Sequence, residues 1–313
     1  MLDISHKIKT LREAKAQATL KVSPDTILLI RGNNIPKGNP LEVAKVAAIN
    51  SAKSTSNIIP YCHPLPIDYV GVDFELLDDQ IIVNVEVKAI YKTGVEMEAL
   101  TAASIAALTL YDMMKMLDEK MEITGVKLLE KSGGKSDFKD TYKAKPRAAV
   151  LVMSDTIAAG KKEDKSGKII LERLEKEGVE IVDYKIVPDD LGEIANLLIY
   201  YSDELKLDLV MTTGGTGFSP RDNAPEAMEK VFEREIPGIP EAMRSYGQER
   251  IPYSMLSRGK AGIRGKTVIV NLPGSRGGVT DSLNAIFQAV LHSFKMIWGY
   301  GHVEKKEKEK VNL

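Results

Sequence analysis

The sequence predicts two domains of different class, an α+β unit followed by a three-layer α/β unit with a mostly parallel sheet. Three observations predict this. The chain has 313 residues, and at roughly 100 to 200 residues per domain that length favours two cores over one. In the first half, Val83, Val85, Val87 and Ala89 alternate with Asn84, Glu86 and Lys88, the period of two expected of a sheet with one wet face. In the second half, continuous apolar runs are each followed by a Gly-rich or polar loop and then a helical segment, the rhythm of buried parallel strands covered on both sides.

Taken in order, Pro40 opens a helix to about Ser54, with Leu41, Val43, Ala44, Ala47, Ala48 and Ala52 as its apolar stripe. Ile67 to Leu77 and Ile81 to Ile90 read as a hairpin across Asp78-Asp79-Gln80, and Val95 to about Glu119 as one long helix rich in Ala, Leu, Met and Glu. Ala148 to Met153, Val179 to Val187, Leu207 to Thr212 and Thr267 to Leu272 are the strands of the second half; Gly178 suits the end of the helix before the second of them. From Lys131 to Arg147 six basic residues face two acids with no apolar periodicity, which is linker composition. The expected division is therefore residues 1–140, a connector 141–147, residues 148–303 and a solvated charged tail 304–313.

Composition narrows the function. Lys plus Arg total 43 against 44 Asp plus Glu, a net charge of −1, which removes the strongest argument for a nucleic-acid partner. No stretch approaches ~18 apolar residues, so no membrane-spanning helix is expected, and the charged start lacks a signal-type apolar core. The lone Cys62 excludes an intrachain disulfide and a multi-cysteine zinc site. These features predict a soluble, cytoplasmic enzyme.

In the second half, three strand-end loops carry polar residues suited to a nucleotide: Ser154-Asp155 with Gly160 and Asp164, then Thr213 to Gly217 with Arg221-Asp222, then Asn271 to Ser275. Small residues let backbone N–H groups approach phosphate oxygens, and carboxylates at the same edge can take Mg2+ together with phosphate oxygens. Singly, each loop is also ordinary turn chemistry; Arg221-Asp222 can be a plain ion pair and Asp189 a helix N-cap. The convergence of Asp155, Asp189 and Asp222 on strand ends is what points to a site. The run Met211 to Asp222, with Pro225-Glu226-Ala227, Leu256-Ser257-Arg258, Gly262-Ile263-Arg264-Gly265 and Asn271-Leu272-Pro273-Gly274, resembles the molybdopterin adenylyltransferase family (MogA/MoaB type), from about Ala148 to His302. That resemblance implies AMP transfer from Mg-ATP to the terminal phosphate of molybdopterin, with release of pyrophosphate. It implies that Asp222 and Asp189 are catalytic carboxylates holding Mg2+, that Asp155 and Gly214, Gly215, Thr216 and Gly217 bind nucleotide, and that Ser257 and Ser275 bind the pterin and its phosphate. Arg276 departs from the family, which often has Pro there.

In the first half, Asp112 and Lys115 lie three apart on the long helix and share a face. They form either an exposed ion pair or, because the helix is apolar nearly all round, a buried acid/base pair with shifted protonation equilibria. Pro60 to Leu65 places Cys62 beside His63 between prolines. Adjacent side chains in an extended loop point apart, so metal binding is not expected and His63 reads as a substrate hydrogen-bond donor. Lys53, Pro60 to Leu65, Lys92 to Thr101, Leu110 to Lys115 and Lys131 to Ser136 resemble the cyclic pyranopterin monophosphate synthase family (MoaC type) over about Met1 to Lys139. The resemblance implies a ferredoxin-like fold and conversion of 3',8-cyclo-7,8-dihydro-GTP to cyclic pyranopterin monophosphate and pyrophosphate, with no cofactor. It implies catalytic Asp112, Lys115 and Lys53, substrate contacts from Tyr61, Cys62, His63, Met97 and Glu98, and triphosphate contacts from Lys131 and Lys135. Tyr91 departs from the family, which commonly has Gly before the Lys-Thr-Gly.

The two resemblances together imply a bifunctional enzyme of molybdenum cofactor biosynthesis acting on small pterin and nucleotide substrates. One family forms trimers and the other hexamers, so a homo-oligomer with three-fold symmetry is expected. The alternative is an active synthase whose second half only binds pterin or drives oligomerisation.

Overall fold

The computed structural model describes residues 1–142 and 144–299, with the side chain of Lys135 left aside; the charged tail 304–313 lies outside the described residues. The chain divides into two compact units, Met1–Lys139 and Asp140–Leu313.

The first unit runs β1 (Thr10–Lys21), α1 (Pro24–Arg31), α2 (Pro40–Lys53), α3 (Thr55–Ile58), β2 (Tyr69–Leu76), β3 (Gln80–Tyr91), α4 (Glu96–Met114) and β4 (Glu122–Ser132). Its strands form one sheet in the order β2-β3-β1-β4, antiparallel at every pairing. The hairpin and the helix from Pro40 are where the patterning puts them. Helix α2 starts where Asn39 caps it, its side chain accepting from the N–H groups of Leu41 and Glu42 at 3.0 and 3.3 Å. Helix α4 buries Ala99, Ala102, Ala103, Ala106, Ala107 and Leu110 in a core shared with Ala14, Ala16 and Ala18 of β1; small side chains on both partners let helix and sheet approach closely. The other sheet face is polar, with Gln17 donating to Asn84 at 2.9 Å and Lys88 paired with Glu13 at 3.3 Å. Two strands escape the patterning, β1 and β4, and the second covers Lys131 and Ser132, which composition assigns to the linker. The long helix also stops at Met114 rather than near Glu119, with Lys115 as its cap.

The second unit runs β5 (Arg147–Met153), α5 (Asp155–Ala158), α6 (Ser166–Lys176), β6 (Glu180–Val187), α7 (Leu191–Ile199), β7 (Leu209–Thr213), α8 (Ala224–Val231), β8 (Arg234–Glu235), α9 (Gly238–Gln248), β9 (Ala261–Arg264), β10 (Thr267–Leu272) and α10 (Arg276–Ile297). Its sheet has the order β6-β5-β7-β10-β9-β8, parallel from β6 to β10 and antiparallel at the two short edge strands. Alternate residues of β5 enter different cores. Ala148 and Val150 pack with α6 and α10, whereas Ala149, Leu151 and Met153 pack with α7 and α8. The sheet is thus the middle of three layers. The chain leaves β5 for β6 on one side and then crosses to β7 on the other, so the loops after β5 and β7 part at a topological switch point, where such sheets open a crevice at their carboxyl ends.

Asp140, which the sequence division assigns to the first domain, opens the second unit and packs there together with the connector residue Tyr142. Asp140 accepts from His292 Nδ1 and Lys295 Nζ, each at 2.7 Å. Tyr142 donates to the Leu291 carbonyl at 2.8 Å and sits edge-on to Phe294 and Trp298, with ring centroids at 6.2 and 5.8 Å.

Candidate functional site

At the carboxyl ends of β5, β6, β7 and β10 the loops are tied to one another. Gly214 follows β7 at φ +105°, and a Cβ there would lie 2.0 Å from the Met153 carbonyl, so only glycine lets the two backbones meet. Gly215, at φ +61°, faces the Asp189 carboxylate, and Gly217 faces that of Asp222. Asn271, fully buried, donates to Thr212 Oγ1 at 2.9 Å and to the Gly214 carbonyl at 3.2 Å. Thr213 donates to the Pro273 carbonyl at 2.6 Å, and Ser166 to that of Gly274 at 2.9 Å. The result is a floor of backbone and small side chains with carboxylates around it.

Asp155 and Asp189 are interlocked: each backbone N–H donates to the other's carboxylate, at 3.2 and 3.1 Å. Asp190, not Asp189, caps α7 by accepting from Glu193 N–H at 2.8 Å, which leaves the Asp189 side chain for the site. Its Oδ1 is buried without a hydrogen-bond partner. Burial lifts the Asp189 carboxyl above the ordinary range, and the charges of Asp155 and Asp222 add to that. Arg221 pairs with Asp155 rather than with its neighbour Asp222, through Nε at 3.0 Å and Nη2 at 2.8 Å; these bonds hold the Asp155 carboxyl below its usual range. Asp222 accepts from Ser219 N–H at 2.8 Å, closing its own turn. The buried, unpartnered oxygen of Asp189 and the glycine-faced carboxylate of Asp222 are an oxygen donor set of the kind a hard divalent cation uses beside phosphate. Among the described residues no cluster of three or more such ligands exists, so phosphate and water would have to supply the remaining positions.

Arg258 holds this edge together. It donates to the carbonyls of Gly217 at 2.8 Å and Asp222 at 2.6 Å, pairs with Glu226 of α8, and its backbone N–H bonds the Thr216 carbonyl at 3.0 Å. Thr216 is buried beneath it. Ser257 stands one residue before this clamp, its carbonyl accepting from Arg244 at 3.3 Å. Ser275 caps α10, accepting from Gly278 N–H at 3.1 Å. Asp164 is buried as the brace of α6, accepting from Ser166 and Gly167 N–H groups and from the Tyr184 hydroxyl. Arg276 is exposed at the start of α10.

In the first unit, Asp112 and Lys115 do pair, at 2.9 Å, but their side chains are 59% and 57% exposed. The buried acid/base pair is therefore corrected to a surface one. The alanine face of α4 turns inward, which leaves Asp112 and Lys115 on the outer side at the helix end. A third group joins them that sequence spacing does not reveal: Lys37, from the loop before α2, bonds Asp112 Oδ2 at 3.1 Å and the Asp112 carbonyl at 2.7 Å. Hydrogen bonds from Lys115 and Lys37 hold the Asp112 carboxyl low, and Asp112 in turn raises Lys115. Lys53 is exposed in the last turn of α2, and none of the described hydrogen bonds or ion pairs joins it to this cluster.

Cys62 and Glu98 meet, the thiol donating to Glu98 Oε1 at 3.3 Å, while Oε2 is buried without a partner. Burial raises both groups; the thiol, with Glu98 adding, is pushed up to about 11. His63 Nε2 donates to the Leu2 carbonyl at 2.8 Å. Tyr61 is 78% exposed and Met97 is exposed at the start of α4. Lys131 pairs with Glu96 at 3.3 Å beside the Gly133-Gly134 turn. There Gly133, at φ +85°, touches the Leu11 carbonyl closely enough to exclude any Cβ. The Lys135 side chain lies outside the described residues. Arg12, also unmarked by any motif, donates to the Tyr91 carbonyl at 3.3 Å near this turn, with Glu96 and Asp137 as its charged surroundings.

Two units, each with its own sheet and its own polar residues, give the chain two candidate sites. Residues 1–134 match the MoaC family, and residues 149–293 match the family described as a probable molybdopterin binding domain. A molybdenum cofactor biosynthesis bifunctional protein of Chlorobaculum tepidum is 43% identical over 302 residues, 96% of either chain. Its counterpart in Synechococcus elongatus is 36% identical over 315 residues, covering 96% of this chain and 98% of that one. The cyclic pyranopterin monophosphate synthase of Syntrophomonas wolfei is 53% identical over 138 residues, 44% of this chain and 88% of its own. Among solved structures, the molybdopterin biosynthesis enzyme MoaB of Thermus thermophilus is 40% identical, with a TM-score of 0.47, covering 49% of this chain and 96% of that one. The chain belongs to the family of molybdenum cofactor biosynthesis bifunctional proteins.

Proposed function

We propose that the first unit converts 3',8-cyclo-7,8-dihydro-GTP to cyclic pyranopterin monophosphate and pyrophosphate, and that the second adenylylates molybdopterin with Mg-ATP. The observation that carries this reading is the presence on one chain of two separate charge clusters, Lys37-Asp112-Lys115 and Asp155-Asp189-Asp222 with its glycine loop.

In the first reaction Asp112 and Lys115, steadied by Lys37, exchange protons with the rearranging substrate. An exposed pair suits this, because a bound substrate covers it and alters both protonation equilibria. Cys62, His63, Glu98, Tyr61 and Met97 surround the ring system, and Lys131 with Lys135 meets the triphosphate. These groups lie at the opposite end of α4 from Asp112, about 20 Å along the helix, so a second copy of the chain in the homo-oligomer supplies one half of the site. Lys53 is a further catalytic group on the family resemblance alone. The strand order β2-β3-β1-β4, with helices joining β1 to β2 and β3 to β4, supports a ferredoxin-like fold for this unit.

In the second reaction the Gly214 to Gly217 loop receives the nucleotide phosphates, Asp189 and Asp222 would hold Mg2+, and Ser257 and Ser275 orient the pterin phosphate. Mg2+, when bound, neutralises charge on the triphosphate; the residues supply alignment, which is most of what phosphoryl transfer needs. The boundaries 1–140, 141–147 and 148–303, a three-fold homo-oligomer and a cytoplasmic location complete the reading. No helix among the described residues is long and apolar enough to cross a membrane.

The test is pyrophosphate release by the full chain, supplied first with the cyclised GTP substrate and then with ATP plus molybdopterin. Release in both assays is expected. Release with the first substrate alone would leave the second half a pterin-binding or assembly unit.

A further inference from the structure

We propose that Arg221 is a partner-exchanging residue of the second site: it neutralises Asp155 while the site is empty and moves to the nucleotide phosphates when Mg-ATP binds. This rests on the adenylylation reading above.

The charge arrangement requires such a group. Asp155, Asp189 and Asp222 place three carboxylates at the strand ends, close enough that Asp155 and Asp222 act on Asp189, and Arg221 is the cation bonded to this group. A polyphosphate entering among carboxylates meets repulsion unless cations face it. Arg221 is already there, and its planar fork grips phosphate with the same two-pronged geometry it uses on Asp155.

The local mechanics favour exchange by side-chain rotation alone. The turn that carries Arg221 is fixed: Asp222 bonds Ser219 N–H, Asp222 N–H bonds the Ser219 carbonyl at 2.9 Å, and Arg258 clamps the carbonyls of Gly217 and Asp222. The guanidinium itself is free to swing, since the Arg221 side chain is 62% exposed and Asp155 41%. Exposed pairs of this kind contribute little to stability, so breaking one costs little compared with a charge-assisted bond to phosphate in a closed site. Asp155 has a second anchor, since it accepts from Asp189 N–H at 3.1 Å. It therefore keeps its place when Arg221 leaves.

Isothermal titration and Mn2+ electron paramagnetic resonance on the full chain test this without relying on turnover. Arg221→Gln should weaken Mg-ATP binding by about tenfold or more, while Mn2+ alone, without nucleotide, should bind several-fold tighter because a positive charge has left the carboxylates. Arg221→Lys should fall between, keeping the charge and losing the fork. In EDTA, Asp155→Asn should bind ATP several-fold more tightly than the parent, and the gain should vanish in Asp155→Asn/Arg221→Gln, as expected if Arg221 is the group released. Arg221→Gln with parental Mg-ATP affinity, or a gain that persists in the double variant, would reduce the pair to a surface ion pair and overturn the proposal. A parent chain that binds no Mg-ATP would overturn the adenylylation reading and the proposal with it.

Discussion

Asp112 shows what a single residue's surroundings decide. Spacing alone puts it on one helix face with Lys115, but the third partner, Lys37, comes from 75 positions away. Replacing Lys37 by Ala should lower synthase turnover by at least about tenfold with little effect on folding, because all three groups are exposed. Steady-state kinetics beside a urea titration separates the two effects. Cys62 and Glu98 give a second prediction at this scale. Burial raises the Glu98 carboxyl in the folded chain, so the native state binds more protons there than the unfolded state. By linkage, that contribution opposes folding progressively as pH rises from the ordinary glutamate value to the raised one. Glu98→Gln should therefore gain stability relative to the parent across that window and hold the gain at neutral pH; urea midpoints at pH 4 and pH 7 check the sign. The same variant should speed alkylation of Cys62, since the thiol pushed up to about 11 loses one of its causes.

At the scale of elements, the turn glycines separate two costs. Gly160 and Gly214 both have positive φ, but a Cβ at Gly160 meets nothing within 4 Å, whereas at Gly214 it strikes the Met153 carbonyl. Gly160→Ala should cost about 1 kcal/mol, the left-handed penalty. Gly214→Ala should cost more, as the loop must move, and should also weaken ATP binding; denaturant unfolding and titration calorimetry distinguish the two. Legibility at this scale follows burial. The strand Thr267–Leu272, buried at every residue, is visible as an unbroken apolar run. Strand β1 is not, since its inward residues include Ala14, Ala16 and Ala18, and alanine carries little apolar signal and low strand propensity. Strand β4 is mostly exposed and shows no alternation. The candidate site follows the same logic: Asp155, Asp189, Asp222 and the glycines mark themselves by standing after apolar runs, whereas Lys37, Arg12 and the Arg221–Asp155 pairing depend on contacts between distant segments. Patterning overstated burial at Asp112 and Lys115 because an apolar composition does not show which side of a helix turns outward.

For the whole molecule, near-neutral net charge proves a poor guide to ligand charge. Each unit gathers charged groups locally, Lys37 and Lys115 around Asp112 at one end of α4 and Lys131 on Glu96 at the other in the first, and the three carboxylates with Arg221 in the second. Each proposed reaction has a triphosphate among its substrates, and small local clusters are enough to meet it. Because the two compact units carry different charge clusters, one activity should be removable without the other. The measurement that tests this most directly is a paired pyrophosphate assay on the full chain and its Asp112→Asn and Asp222→Asn variants. Asp112→Asn should lose release from the cyclised GTP substrate by at least about a hundredfold and keep release from ATP with molybdopterin, and Asp222→Asn should do the reverse. Loss of both activities in either variant with folding intact, or retention of both in each, would contradict the account.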